Sequence, residues 1–294
     1  MENRQSDQST CTETNPKANN RGKTVAVVCG VIAVILLCIC VITPMVKYNN
    51  ALDLMEDGRY DEAIIAFGSM DGYKDSADKI EECYVNICGE ELWNHIKSVN
   101  VGDIYTFGSY EQDNDSSNGQ EDIEWLVLSK KGTRILVISK YALDYKRYDD
   151  LDFDITWESC ALREWLNKDF VDAAFSAEEK AMIPVTTVPA DKNPEYGTDP
   201  GNETQDRVFL LSVKEAKEYF TSESERACEP TAYAIANSTV EISDHYWWLR
   251  SPGYIQNYAA IVGGFHTGEI NERGSFPTDD RIAVRPAMWI DLNA

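Results

Sequence analysis

The chain has 294 residues, with 50 acidic against 27 basic side chains and a formal net charge of −23. No basic run interrupts that acidity, which excludes nucleic acid and anionic lipid as partners and leaves solubility, or attraction of cations and basic ligands, as its role. Only His95, His245 and His266 supply imidazole, and no CxxC or CxxxH spacing occurs, so neither a histidine-rich metal centre nor structural zinc is expected.

Residues 24–46 carry no charge. At ~1.5 Å rise per residue such a run makes a helix of ~34 Å, enough to cross the ~30 Å hydrocarbon core of a bilayer. Lys17, Arg21 and Lys23 precede the run, whereas Lys47 alone follows it closely. The positive-inside rule then places residues 1–23 in the cytoplasm as a tail and everything after Lys47 outside. The expectation is a single-pass, type II membrane protein held by an uncleaved signal-anchor at 24–46. A removable signal peptide fits less well, because the apolar core is long and Thr43-Pro44-Met45 is a poor cleavage context.

Residues 47–98 read as a helical stalk. Ala51, Leu54, Met55 and Gly58 fall at i, i+3, i+4 and i+7, as do Tyr60, Ala63, Ile64 and Phe67. Asp57-Gly58-Arg59 separates the two stripes, and Tyr73, Ala77, Ile80, Tyr84 and Ile87 continue a third. The string ALDLMEDGRYDEAIIAF resembles a tetratricopeptide-type helical hairpin. Only one copy is visible, whereas a free-standing solenoid needs about three.

Residues 99–294 form an α+β domain with helices in its middle and strands at both ends. Glu124–Ser129 and Arg134–Ser139 are apolar runs joined by Lys130-Lys131-Gly132-Thr133, a hairpin expected to be covered on both faces. Thr156 is placed to cap a helix over Trp157–Phe170. Ser176-Ala-Glu-Glu179 and Ser212-Val-Lys-Glu215 are capping boxes that mark two further helix starts. Short strands are expected at Tyr246–Arg250, Ala259–Val262, Ala283–Arg285 and Ala287–Ile290. Cys160 and Cys228 either bridge or remain buried thiols.

The segments GDIYTFGSYEQ, IEWLVL, LREWLN, RVFLLS, CEPTAYA, YWWLRSPG and VRPAMWI occur in this order over nearly all of residues 101–292. Together they resemble an uncharacterised family, a domain of unknown function common in exported proteins of Gram-positive gut bacteria. Its tail, WWLRSPG followed by a glycine-rich hairpin and VRPA, is similar to the core of C-type-lectin-like folds, including sulfatase-modifying factor domains. The resemblance implies a C-type-lectin-like α+β domain and no established activity.

No catalytic constellation stands out. Nothing after Cys228 is a cysteine, there is no GxSxG elbow and no HExxH, and three scattered histidines cannot form a facial triad. No catalytic residue, metal or cofactor is therefore assigned. Two oxygen-rich loops, Asp113–Gly119 with Glu124 and Asp191–Asp206, are read either as calcium loops or as solvated surface. The candidate ligand-binding residues are Trp247, Trp248, Arg250, Asn257 and Arg285. Adjacent tryptophans on a strand point to opposite faces, so one is expected in the core and the other either exposed to a ligand or beneath the following hairpin. Arg250 and Arg285 either serve packing and ion pairing or present a fork to a ligand. Tyr254, Tyr258 and His266 add stacking and polar contacts near Asn257. The expected function is non-catalytic binding of an extracellular glycan or protein at the cell membrane. The alternatives are an exported cell-wall hydrolase using carboxylates, and a structural partner of a membrane complex.

Overall fold

The computed structural model describes residues 42–238, 245–263 and 267–294. The chain divides into two compact units, with the boundary between Ile87 and Cys88. The helix at 90–98, assigned to the stalk on sequence grounds, falls on the C-terminal side of that boundary.

The smaller unit contains α1 (Thr43–Glu56), α2 (Tyr60–Gly68) and α3 (Ser76–Cys88). The break after α1 is a Schellman motif: Arg59 N–H donates to Leu54 O at 2.9 Å and Gly58 N–H to Met55 O at 3.0 Å. Gly58 holds φ +73°, which explains the glycine there. Ala51 and Ala63 are fully buried where the helices meet, and Tyr48 packs edge-on against Phe67 at 5.6 Å.

The transmembrane and signal-anchor expectation is corrected here. No helix among the described residues is long and apolar enough to cross a membrane. Residues 24–41 of the expected span lie outside the described residues. Its last residues, from Thr43 onward, open α1 instead, and that helix continues past Lys47 to bury Tyr48 and Ala51 in the helical core.

The larger unit is α+β. Helix α4 (Glu90–Ser98) leads into a five-stranded sheet of order β1-β2-β3-β12-β7, built from Ile104–Tyr110, Glu121–Lys131, Arg134–Ser139, Ala287–Asp291 and Val208–Phe209. All its pairings are antiparallel. A second sheet has the order β10-β9-β8-β11-β4, from Ile270–Ser275, Ala259–Gly263, Tyr246–Pro252, Ile282–Val284 and Asp144–Tyr145. Within it β11 runs parallel to β8. β5 (Thr186–Val188) and β6 (Thr204–Asp206) form a separate ribbon.

The hairpin expected around Gly132-Thr133 forms, with Gly132 at φ +62°. Its two strands differ in environment. Ile135 to Ile138 of β3 are all buried, as a continuous apolar run predicts. β2 instead alternates from Ile123 to Val127, with Glu124 and Leu126 half-buried, until the register shift between Val127 and Ser129 adds buried Leu128.

Both capping boxes form, at Ser176 for α7 (Ala177–Met182) and at Ser212 for α8 (Val213–Tyr219). The helix expected from Trp157 starts later, as α5 (Ala161–Trp165). Thr156 O accepts Ser159 and Cys160 N–H in a turn, and the start is fixed from afar by the Asp149 carboxylate, which accepts Ala161 N–H at 2.9 Å. A π-helical turn over Leu166–Phe170 follows, then α6 (Val171–Ala174). Asn167 in that turn donates to Val208 O at 2.8 Å and accepts from Arg207 N at 2.8 Å and Val208 N at 3.3 Å. It therefore lies along β7, the edge of the first sheet. Two short helices, α9 (Glu223–Arg226) and α10 (Ala232–Asn237), complete the unit.

Candidate functional site

Every residue of β8 from Trp247 to Pro252 is buried. Trp247 and Trp248 are 1% and 0% exposed, so neither face of the strand is open to a ligand. Their indole N–H groups donate to Arg226 O at 3.1 Å and Lys146 O at 2.8 Å. Both tryptophans are core residues, and the expectation that one meets a ligand is corrected.

Arg250 is also committed internally. It donates to Leu210 O at 2.8 Å and Pro189 O at 3.3 Å, and it grips the Glu215 carboxylate through both Nη1 and Nη2, the latter at 3.0 Å. Asp191 stands 3.6 Å from Nη2. Glu215 simultaneously accepts Ser212 N–H to close the capping box of α8. Arg250 thus joins the centre of the second sheet to a helix start.

Arg285 lies between the Phe220 and Trp247 rings, with its guanidinium carbon 5.5 and 5.2 Å from their centroids. It donates to Ser139 O at 2.9 Å and Arg226 O at 3.3 Å. Burial holds its pKa below the ordinary arginine value. Of the five candidate residues, Asn257 alone reaches the surface, where it donates to Asp152 Oδ1 at 2.9 Å.

Around Asn257 the fold joins Tyr254 and Tyr258, singled out from the sequence, to Tyr196 and Phe276, which were not. Tyr196, Tyr254, Tyr258 and Phe276 form a continuous row, with successive ring centroids 6.1, 4.8 and 4.4 Å apart. The end members Tyr196 and Phe276 are 44% and 46% exposed. Arg273 rests on the Tyr254 ring at 4.6 Å. Ile255 is exposed in the same loop.

Asn193 fixes this row in place. It is buried, and its amide donates to Pro252 O at 2.8 Å and Glu272 O at 2.7 Å. Its carbonyl oxygen accepts Glu195 and Tyr196 N–H at 3.0 and 3.1 Å. One side chain therefore holds the Tyr196 loop against both β8 and β10. Gly253 closes the other side: a Cβ there would stand 2.5 Å from both Arg273 O and Tyr258 Cβ. Beside the row, Glu195, Tyr196, Tyr246, Glu269, Glu272 and Arg273 are among the residues lining an open groove of about 450 Å³.

The oxygen-rich loops are largely self-satisfied. Asp191 accepts from Ser212 Oγ at 3.1 Å and faces Arg250, while buried Asp206 accepts from Trp157, Arg163 and Thr204. Glu124, expected to complete the first loop, pairs with Lys140 at 2.8 Å. Glu111, Asp113 and Glu121 converge instead, with one oxygen of each within 4.8 Å of the others. Glu121 already accepts Gln112 and Asp113 N–H, and Asp113 accepts from Asn118.

Cys160 and Cys228 are free and buried, so no bridge joins them. Burial pushes the Cys160 thiol up to about 12 and raises that of Cys228. A nucleophilic cysteine needs the opposite shift. His245 sits near Tyr145, at 3.5 Å, and Glu229, at 3.4 Å; His266 lies outside the described residues.

The fold and this surface define an α+β domain that presents an ordered aromatic row beside an acidic groove. A family model described as "Domain of unknown function (DUF6273)" matches residues 132–292, and the chain belongs to that family. No curated protein and no solved structure matches the chain.

Proposed function

We propose that this domain is a non-catalytic binding module for an extracellular glycan, engaged through Tyr196, Tyr254, Tyr258 and Phe276. The observation that carries this reading is the continuity of the row together with the exposure of both its ends. Ordered tyrosine and phenylalanine rings offer apolar faces at low entropic cost, suited to the C–H faces of a pyranose. The hydroxyls of the tyrosines provide the polar edge that sugar hydroxyls need, while the side-chain amide nitrogens of Gln256 and Asn257 hold the loop by donating to Ile155 O, Asp199 O and Asp152. The likeness of the WWLRSPG and VRPA segments to C-type-lectin-like cores supports the reading as fold analogy. A carboxylate hydrolase is the competing reading, favoured by the Glu195, Glu269 and Glu272 side chains in the adjoining groove.

The test is titration of the full chain with an oligosaccharide panel. Binding that is lost on Tyr254→Ala and on Phe276→Ala, with unchanged thermal unfolding, is the expected result. Binding to no member, or binding indifferent to both substitutions, overturns the reading. Release of new reducing ends transfers the site to the hydrolase reading.

A further inference from the structure

The two most exposed rings of the aromatic row are its ends. Tyr196 and Phe276 are 44% and 46% exposed, whereas Tyr254 and Tyr258 between them are half-buried. The middle of the row is also partly occupied. Arg273 covers a face of Tyr254 at 4.6 Å, and Tyr254 meets Tyr196 and Tyr258 edge-on, at interplanar angles of 70° and 77°. Rings turned in this way do not merge into one flat platform. A single sugar therefore stacks on one end ring or on the other.

Each end ring is fixed by its own hydrogen bonds. Asn193 accepts Tyr196 N–H at 3.1 Å while its amide holds Pro252 O and Glu272 O. At the other end, Phe276 O accepts Asp279 N–H at 3.0 Å, and Pro277 O accepts Tyr148 and Asp149 N–H at 2.8 and 3.0 Å. Tyr148 is buried, and its hydroxyl donates to Arg250 O. The Phe276 turn is thus tied to the core through a different segment from the one that holds Tyr196. The separation of the two platforms is set before any ligand arrives. The steps between them, 6.1, 4.8 and 4.4 Å, are each about the length of one sugar in a chain.

We propose that the row reads an extended, linear glycan chain rather than a terminal sugar, with one residue of the chain stacked on Tyr196 and another on Phe276. This inference rests on the glycan-binding reading above. A disaccharide uses one platform at a time, whereas a chain that spans the row uses both. Because both platforms are held in place, the second contact adds affinity with little further ordering of the protein.

The experiment is calorimetric titration of the full chain with cellulose and chitin oligosaccharides, chosen as extended chains, each as the disaccharide and the hexasaccharide. The hexasaccharide should bind on the order of tenfold more tightly, and Tyr196→Ala or Phe276→Ala should each remove that gain while leaving the disaccharide within about twofold. Equal affinity for the two lengths, which needs no variant to read, overturns the extended-chain inference and leaves the glycan reading standing. A gain with length that survives both substitutions places the added contacts elsewhere and also overturns it. Binding of neither series, while other members of the panel bind through Tyr254, again removes only this inference. Failure of the entire panel removes both.

Discussion

Arg250 donates to the same Glu215 carboxylate that closes the N-terminus of helix α8, so one acid serves a buried cation and a helix cap together. The arginine side chain is 2% exposed and the glutamate 17%, which places the pair out of reach of most solvent screening. Truncating one member leaves the other charged and desolvated. Arg250→Ala is therefore expected to cost ~3–5 kcal/mol in urea unfolding, the range for breaking a buried pair. A loss under 1 kcal/mol would show that the pair contributes little.

Asp144 gives a pH signature of the opposite sign to that of a surface acid. Its burial outweighs Lys146 and raises its pKa above 3.8. As pH climbs from the ordinary carboxylate value through the raised one, the unfolded chain has lost this proton while the folded chain still holds it. Stability attributable to Asp144 accordingly falls with rising pH across that window. Other acids, such as Asp279 and Asp291, are shifted downward and act in reverse, so the comparison must be with Asp144→Asn. The difference in unfolding free energy between wild type and Asp144→Asn should move in favour of the variant from pH 4 to pH 7. A flat difference contradicts the assignment.

Asn193 positions the aromatic row without belonging to its exposed face. Asn193→Ala removes four hydrogen bonds, leaving Pro252 O and Glu272 O without this donor, and is expected to cost ~1–3 kcal/mol. Glycan affinity should drop with it, because Tyr196 loses its anchor. Full affinity in a folded Asn193→Ala protein would separate Tyr196 from the binding surface.

Gly253→Ala tests the same surface from the other side. The added methyl meets Arg273 O and Tyr258 Cβ, so the loop and β10 must part. A loss of ~1–3 kcal/mol is expected, the scale of overpacking. Unchanged stability would mean that the two segments separate freely.

Cys160 and Cys228 should resist alkylation in the folded protein and label fully in denaturant without reductant. Mass spectrometry reads both states. Labelling that requires reductant would reveal the bridge that the structure lacks.

Features decided by neighbours in sequence were legible from the start. Ser176 with Glu179 and Ser212 with Glu215 form their capping boxes because each needs only a three-residue reach. The tail strands fall where their apolar runs lie. Features decided at a distance were not. Adjacent tryptophans announce opposite faces, but nothing local announces that both faces of β8 are covered. The start of α5 is set by Asp149, 12 residues upstream of its partner. The Tyr196 loop is placed by hydrogen bonds from Asn193 that span 59 and 79 residues, so the aromatic row could not be read from the polar, turn-rich segment that holds Tyr196.

Asn167 has a consequence for how copies of this chain behave together. Its carboxamide occupies the N–H and C=O of Val208 that a neighbouring strand would otherwise take. One side chain, carried in by a single π-turn, thus stands where a sixth strand would begin. Pairing with a strand of another copy is blocked at that edge of the first sheet, and it is blocked by an amide rather than by a charge or a proline.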